Sequence, residues 1–437
     1  MIDVSNLRTV SENGWTKLLA DISVDIPNWG GGSFPNTIWV GVKDENAHML
    51  AKSVYNAFIL VPLYIGMTHK TDLHIHGCVS KILYRNINNY LQQILCNFSD
   101  ELSRINITVD GFKDEEDADP KIIGTGFSCG VDSLTSVYNR YVLDDDPEYR
   151  INGLFFYSNG MHGAYGDPKA EQLFAKRYKT VKAAADKIGL PMYVIDTNIH
   201  GFYKGLKYTG TTIEYIGGYS CILALERGIK MYYMPSSYSY KEMMKFGFMS
   251  SRGIDFAEFA EHYAVPLIRT KNIQFIPEGG QLERSGKTEQ IADWDVAQGY
   301  INVCVEHKDV FDTYEIHQNC SHCGKCVRTL LPLDALGKLD KFSGPFDIER
   351  YKKDALMNKC LLVLNKDTDP FTRDNYDFCK AHGMKLPSVV FSLIFCIFRK
   401  PKTFIKWFMY KLLPEKTFRR IIMRRRQNDV QKRLSKK

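Results

Sequence analysis

The chain predicts an α/β fold, a parallel sheet with helices on both faces, and three observations carry that expectation. From Lys121 onward, apolar runs of strand length alternate with segments of helical spacing. A turn rich in serine and glycine, FSCGVDS, sits where the first of those runs passes into the first helix. The stretches before and after follow other patterns, and 437 residues with 44% apolar content exceed one ordinary domain.

In chain order, residues 1–113 predict a separate α+β domain. NTIWVGV, DLHIHGCV and RINITVDGF have strand character, whereas SKILYRNINNYLQQILCNF has helical spacing. The charged, proline-terminated KDEEDADP predicts a boundary. A second domain is expected over 121–345. It opens with KIIGTGF as strand, DSLTSVYNRYVL as helix and INGLFFYS as strand. A helix over 169–188, the strand PMYVIDT, a helix over 213–227 and the strand KMYYMPSS follow. Such alternation favours a parallel sheet, whose ligands gather at the carboxyl ends of its strands. Further on, YINVCVEH reads as another strand. A helical extension over 346–386 and a basic amphipathic tail over 387–437 complete the chain.

The net charge of +7 is unevenly spread: from Arg399 to the end, fifteen Lys or Arg face two acidic residues, an excess of thirteen that leaves the preceding residues near −6. An acidic body argues against a broad nucleic-acid surface and moves that question to the tail. The start MIDVSNLRTV lacks a secretory pattern, so a cytoplasmic location is expected. Eleven irregularly spaced cysteines are a poor disulfide framework in a reducing compartment, and any cluster reads first as a metal or catalytic site. Cys78, Cys96, Cys221, Cys360 and Cys396 lie in apolar or mixed surroundings and read as small buried hydrophobes, while Cys379 has no evident place.

FSCGVDS sets Phe127, Ser128, Cys129, Gly130, Val131, Asp132 and Ser133 between a strand and a helix. A turn of this kind presents backbone N–H groups and the positive end of the helix dipole, which favour a phosphate. Ser128 and Ser133 add hydroxyl donors, Gly130 permits close backbone approach, and Asp132 suits either a magnesium ion or the helix N-cap. An ordinary capped turn has the same composition. Cys129 has two readings: a thiol with a pKa lowered at a helix N-terminus, able to carry a persulfide, or a small side chain where the backbone does not demand glycine.

Ser128–Ser133 resembles the SGGxDS pyrophosphate loop (PP-loop) of the N-type ATP pyrophosphatases, with Cys129 in place of the first glycine. The resemblance implies a Rossmann-like (HUP-type) fold with ATP and Mg2+ as ligands. It places the nucleotide along Phe127–Ser133 and beside Tyr157 and Ser158.

Cys320-Ser-His-Cys323-Gly-Lys-Cys326, with Cys304 upstream, forms a second cluster. Three thiolates at two-residue gaps converge on one ion, and a fourth completes a tetrahedral S4 site. Zinc (Zn2+) is the default metal and an iron–sulfur cluster the competing one. His322 is the alternative to Cys304 as fourth ligand.

A pyrophosphate loop followed about 190 residues later by CxxCxxC resembles 7-cyano-7-deazaguanine synthase and its relatives, which use ATP to convert a carboxylate to an amide and then a nitrile. Gly286-Lys287-Thr288-Glu289 is similar to that family's K-x-E segment, which implies Lys287 near the ATP phosphates; a plain solvated lysine is the alternative. Where the synthase has tyrosine-glycine-glutamine, this chain has Tyr157-Ser158-Asn159, a departure on the substrate side. DLHIHGCVSKILYRNINNYL and the knuckle ending at Thr329 resemble a longer bacterial subgroup with an extra N-terminal domain.

The implied reaction is adenylation of a carboxylate or amide oxygen with release of pyrophosphate, then attack by ammonia or another nucleophile. Ser128, Asp132, Ser133 and Lys287 are the expected catalytic groups, with His162 as a candidate acid or base and an ordinary loop histidine as the alternative. The acceptor is a small molecule or a modified polymer. A tRNA-modifying enzyme and an ATP-binding module without catalysis are the rival readings. PSVVFSLIFCIF is too short to span a bilayer. With FIKWFMYKLL and FRRIIMRRR it predicts docking on a membrane surface, at the inner face, or on a protein partner; packing on the body and nucleic-acid binding are the alternatives.

Overall fold

The computed structural model describes residues 1–26, 35–98, 102–116, 118–163, 165–205, 211–246, 261–304 and 317–399. Backbone contacts divide the chain into two compact units. The first comprises Met1–Ser239, Asp255–Leu282 and Asp293–Asn302; the second comprises Tyr240–Ile254, Glu283–Ala292 and Val303–Lys437.

The first unit is α/β. Its strands among the described residues are β1 (Ile2–Glu12), β2 (Trp15–Val24), β3 (Thr37–Lys43), β4 (Leu73–Val79), β5 (Ile107–Phe112), β6 (Ile122–Gly126), β7 (Gly153–Ser158), β8 (Met192–Thr197), β9 (Ile229–Pro235) and β10 (Gln274–Glu278). They form one ten-stranded, mostly parallel sheet in the order β10-β9-β6-β7-β8-β3-β2-β1-β4-β5. The five strands from β10 to β8 run parallel, as do β1, β4 and β5, while β2 and β3 are antiparallel to their neighbours.

Side-chain patterns account for these strands. In β2, Thr16, Leu18, Ala20 and Ile22 are buried and alternate with half-exposed residues, the period-two signature of a strand with one wet face. The Lys17 ammonium lies 4.4 Å from the Trp39 ring and that of Lys43 lies 4.1 Å from Trp15, so cations cover aromatic rings across this antiparallel ladder. In β7, by contrast, Leu154, Phe155 and Phe156 are buried in succession, as a strand covered on both faces requires.

The helices of this unit include α1 (Leu60–His69), α2 (Lys81–Asn86), which runs through a π-turn into α3 (Gln92–Phe98), α4 (Val131–Val137), α5 (Pro168–Ile188) and α6 (Thr211–Leu223). Helix α5 begins where the Asp167 carboxylate accepts the Lys169 amide at 3.0 Å with Pro168 at the first position, and it ends at Gly189 with φ +84°. The core is continuous from the first strands to the last: Ile2, Leu18 and Val40 belong to one cluster with Phe155, Ile195 and Phe275.

The sheet crosses the 113–121 link that the sequence marks as a boundary. Strand β3 pairs with β8 through Val40–Thr197, Gly41–Asp196 and Val42–Ile195, so the N-terminal strands and the strand–helix alternation share one ladder. The sequence reading omits β1, β2, β10 and α1. It also predicts a strand over YINVCVEH. There α9 (Asp295–Tyr300), in chain order after α7 (Tyr240–Phe246) and α8 (Arg284–Ile291) of the second unit, runs up to Tyr300. Ile301–Cys304 then belong to no ladder, because their amides have other partners: Asn302 donates to the Cys129 carbonyl (2.8 Å), and Val303 and Cys304 donate to Asn319 Oδ1 (2.8 and 3.1 Å).

The second unit also holds α10 (Gly324–Ala335), α11 (Ile348–Asn365), α12 (Pro370–Ala381) and α13 (Val389–Arg399). Cys379 finds its place here, buried with Leu331 and Leu362. No helix among the described residues is long and apolar enough to cross a membrane. FIKWFMYKLL and FRRIIMRRR lie outside the described residues.

Candidate nucleotide loop and metal centre

Strand β6 occupies the centre of the parallel half-sheet, with β7 and β8 on one side and β9 and β10 on the other. The chain passes from β6 to β7 and β8, then returns past β6 to β9, so the strand order reverses between β6 and β9. A crevice opens at the carboxyl ends of strands at such a reversal. The turn Phe127–Ser133 leads from β6 into α4 at this place.

Phe127 is buried and its amide donates to the Phe155 carbonyl at 2.8 Å, which anchors the start of the turn to β7. Ser128 is exposed, and its Oγ accepts the Gly130 amide at 3.3 Å. Ser133 Oγ donates to the Gly130 carbonyl at 3.1 Å and accepts the Ser128 amide at 3.3 Å. The two serine hydroxyls stand 3.4 Å apart. Gly130 is the N-cap of α4, with Asp132 half-buried in the first turn and Val131 buried beneath it. Val131 and Phe127 therefore offer only backbone atoms.

Cys129 departs from the reading of a backbone indifferent to glycine. Its φ is +58°, in the left-handed region that glycine enters freely and other residues enter at a cost. The side chain is fully buried, and burial pushes the thiol's pKa up, which opposes the lowered pKa and persulfide role.

Tyr157 and Ser158 end β7 beside this turn. The Tyr157 hydroxyl is tied to that of Tyr232 in the interior, and burial raises its pKa. A Cβ on Gly126 would lie 2.8 Å from the Tyr232 hydroxyl and 3.4 Å from the Tyr157 ring, so glycine lets this pair pack over the end of β6. Ser158 pairs in register with Asp196 of β8. Burial raises the Asp196 carboxyl pKa, while the Thr197 amide and the Ser158 hydroxyl favour its ionised form. Asp196 is a polar group near a strand end that sequence reasoning missed, its only signal being its place at the end of the apolar run PMYVIDT, while Asn159, singled out in the sequence as a departure from the synthase pattern, is buried.

His162 is a packed residue. Its ring lies 5.3 Å from Phe156 and 5.2 Å from Phe174, Nε2 is 3.1 Å from the Tyr157 carbonyl and Nδ1 is 3.2 Å from Arg177 Nη1. A carbonyl only accepts and a guanidinium only donates, so these partners select the neutral tautomer with its hydrogen on Nε2. Lys287 lies in the second unit, in the first turn of α8, and is fully buried, which excludes the solvated lysine.

No family model, curated protein or solved structure matches this chain.

The four cysteines converge. The thiols of Cys304, Cys320, Cys323 and Cys326 are buried and lie within 4.8 Å of one another. The Cys304–Cys323, Cys320–Cys326 and Cys323–Cys326 separations are 4.0, 3.8 and 3.4 Å. Zinc–sulfur bonds of 2.3 Å in a tetrahedron give an edge of about 3.8 Å, so this cluster could hold a single ion such as zinc. Thiolates that each bind a separate iron of a cluster stand farther apart.

Local structure builds the centre. Ser321 adopts φ +62° at the knuckle turn, and its hydroxyl accepts the Asp347 amide at 2.8 Å. Cys323 caps α10 and donates its amide to Cys320 Sγ at 3.4 Å. Asn319 Oδ1 holds the Cys304 backbone, and Asn319 Nδ2 donates to the Pro345 carbonyl at 3.0 Å. Thiol donors, with Cys304 foremost, favour the thiolate forms of Cys320 and Cys323. His322 Nδ1 sits 2.8 Å from the Cys320 carbonyl, and it is the Cys304 thiol, not the His322 ring, that joins the three knuckle thiols within 4.8 Å, so Cys304 is the fourth donor.

Proposed function

We propose that this chain is a PP-loop enzyme that adenylates an acceptor carboxylate or amide oxygen, in the manner of 7-cyano-7-deazaguanine synthase. The observation that carries this reading is the serine- and glycine-bearing turn Ser128–Ser133 at the reversal of strand order. Taking β6 as the first strand, the parallel half-sheet has the order 3-2-1-4-5, which supports a Rossmann-like (HUP-type) arrangement with its ligand at that crevice.

In this reading the pyrophosphate portion of ATP rests on the loop. The acceptor oxygen attacks the α-phosphorus and pyrophosphate leaves; ammonia then attacks the activated carbon, AMP departs and the ammonia loses a proton. Ser128 and Ser133 donate hydroxyls, and the first N–H groups of the helix add their dipoles. Asp132, in the first turn of the same helix, would offer an oxygen ligand to magnesium, which would neutralise triphosphate charge when bound. The second reactant is a nitrogen nucleophile in preference to sulfur carried on Cys129, whose thiol is buried and protonated. Zinc at the four cysteines would be structural, since four thiolates leave no open position.

Purified protein given ATP, magnesium and a pooled metabolite extract should form AMP and pyrophosphate together. Asp132→Ala should lower that rate by about 100-fold. Formation of ADP and phosphate, or an undiminished rate in the variant, would show the reading to be wrong. ATP bound without turnover in any extract would favour the non-catalytic module.

The same reading places the enzyme at the inner face of a membrane. Helix α13 supports this: Ser392 and Cys396 are buried, whereas Val390, Phe391, Ile394, Ile397 and Phe398 are exposed along one stripe that runs into the basic tail.

A further inference from the structure

We propose that His74, His76 and Asp110, on the wet face of the sheet, form a second metal site that takes a divalent transition ion of the zinc type. The site lies within the first unit and rests on neither the nucleotide loop nor the four cysteines.

Strand register assembles it. In β4, Leu73 and Ile75 are buried in the core, so His74 and His76 project together from the opposite face. His74 pairs with Thr108 of β5 on one side and with Asp3 of β1 on the other. Two residues beyond Thr108, Asp110 shares its face. One ligand atom from each of His74, His76 and Asp110 lies within 4.8 Å of the others.

The geometry within the group suits an ion. His74 Nε2 is 3.4 Å from Asp110 Oδ1, close to the edge of about 3.3 Å that a tetrahedron with bonds near 2.05 Å requires. His74 Nδ1 lies 2.7 Å from Thr108 Oγ1. With that hydroxyl accepting from Nδ1, the Nε2 lone pair turns toward the carboxylate, the usual arrangement of a metal-binding histidine and its orienting partner. In that tautomer the 3.4 Å between Nε2 and the carboxylate oxygen leaves both atoms able to bind one cation. His76 Nε2 is 3.1 Å from Asp3 Oδ1, which supplies a second carboxylate beside the site. The histidine rings meet edge to face with centroids 4.2 Å apart.

Two imidazoles and a carboxylate are the ligands of zinc, nickel or copper rather than of calcium or magnesium, which prefer oxygen throughout. The carboxylates of Asp3 and Asp110 balance a double positive charge. Partial exposure of the three side chains leaves room for water as a further ligand.

A proton shared between these groups is the competing account, and metal counting separates the two. The full chain, freed of any affinity tag, is dialysed against buffered Zn2+ and its zinc measured. The native protein should hold one equivalent beyond that of the cysteine centre. His76→Ala should weaken it about 100-fold and Thr108→Val about 10-fold, with circular dichroism unchanged because both side chains are exposed. Loaded with Co2+ instead, the extra equivalent should add d–d absorption with no thiolate charge-transfer band. Equal zinc in the native protein and a His74→Ala/His76→Ala double variant at every free concentration would overturn the proposal. So would a thiolate band on the extra cobalt.

Discussion

Cys129 and Glu226 hold opposite kinds of tension in the first unit. At Cys129 it is conformational: a left-handed residue with a Cβ costs about 1–2 kcal/mol, and the Asn302 amide on its carbonyl helps hold it there. At Glu226 it is electrostatic. This carboxyl is buried, accepts Asn56 Nδ2 at 2.7 Å and Thr270 Oγ1 at 2.8 Å, and burial raises its pKa from 4.5 to about 7 against those hydrogen bonds. Below pH 4.5 the group is neutral whether the chain is folded or not, and its contribution to stability is fully present. As pH rises toward 7 the unfolded chain ionises first, and that stability is lost. The loss amounts to about 3 kcal/mol. Glu226→Gln should therefore flatten the fall in urea midpoint between pH 4.5 and 8. Parallel pH profiles for the variant and the native protein would refute this assignment.

Helix α13 carries the prediction that belongs to the element scale. One side packs against α11, where Cys396 joins Met357, Cys360 and Leu364, and the other leaves Phe398 81% exposed. An apolar stripe leading into an excess of thirteen positive charges suits an anionic lipid surface. Native protein should float with phosphatidylserine-containing vesicles at low salt and lose much of that binding at high salt; a chain ending at Leu386 should stay at the bottom of the gradient. Equal flotation of the shortened chain would exclude α13 and the tail as the anchor.

Legibility also varied by element, for physical reasons. Strands β6 to β9 stand out because buried parallel strands are apolar runs bounded by turns. Strand β1 does not: Ile2 and Val4 face the core, but Asp3 and Ser5 face water and a register shift between Ser5 and Arg8 breaks the period. Helix α1 is buried nearly all round, so LVPLYIGMTH shows no polar stripe. The loop and the thiols were readable as short local motifs. Asp196 and the His74, His76 and Asp110 group were not, because register between distant strands brings them together.

At the scale of the whole molecule, the seam between β3 and β8 has the widest consequence. Side chains reinforce its ladder: Asn198 Oδ1 accepts the Trp39 amide at 2.8 Å, Asn198 Nδ2 donates to the Thr37 carbonyl at 2.7 Å, and the Thr197 hydroxyl donates to the Trp39 carbonyl. A chain begun at Lys121 would retain the whole Phe127–Ser133 turn yet leave MYVIDT as a bare edge, its row of amides and carbonyls open to the same strand of another copy. Such a fragment should scatter light and precipitate where the full chain remains dispersed. If it proved monodisperse, the seam would be dispensable. The N-terminal residues act here as an edge guard, so the link where the sequence invites a cut is the wrong place to shorten the chain.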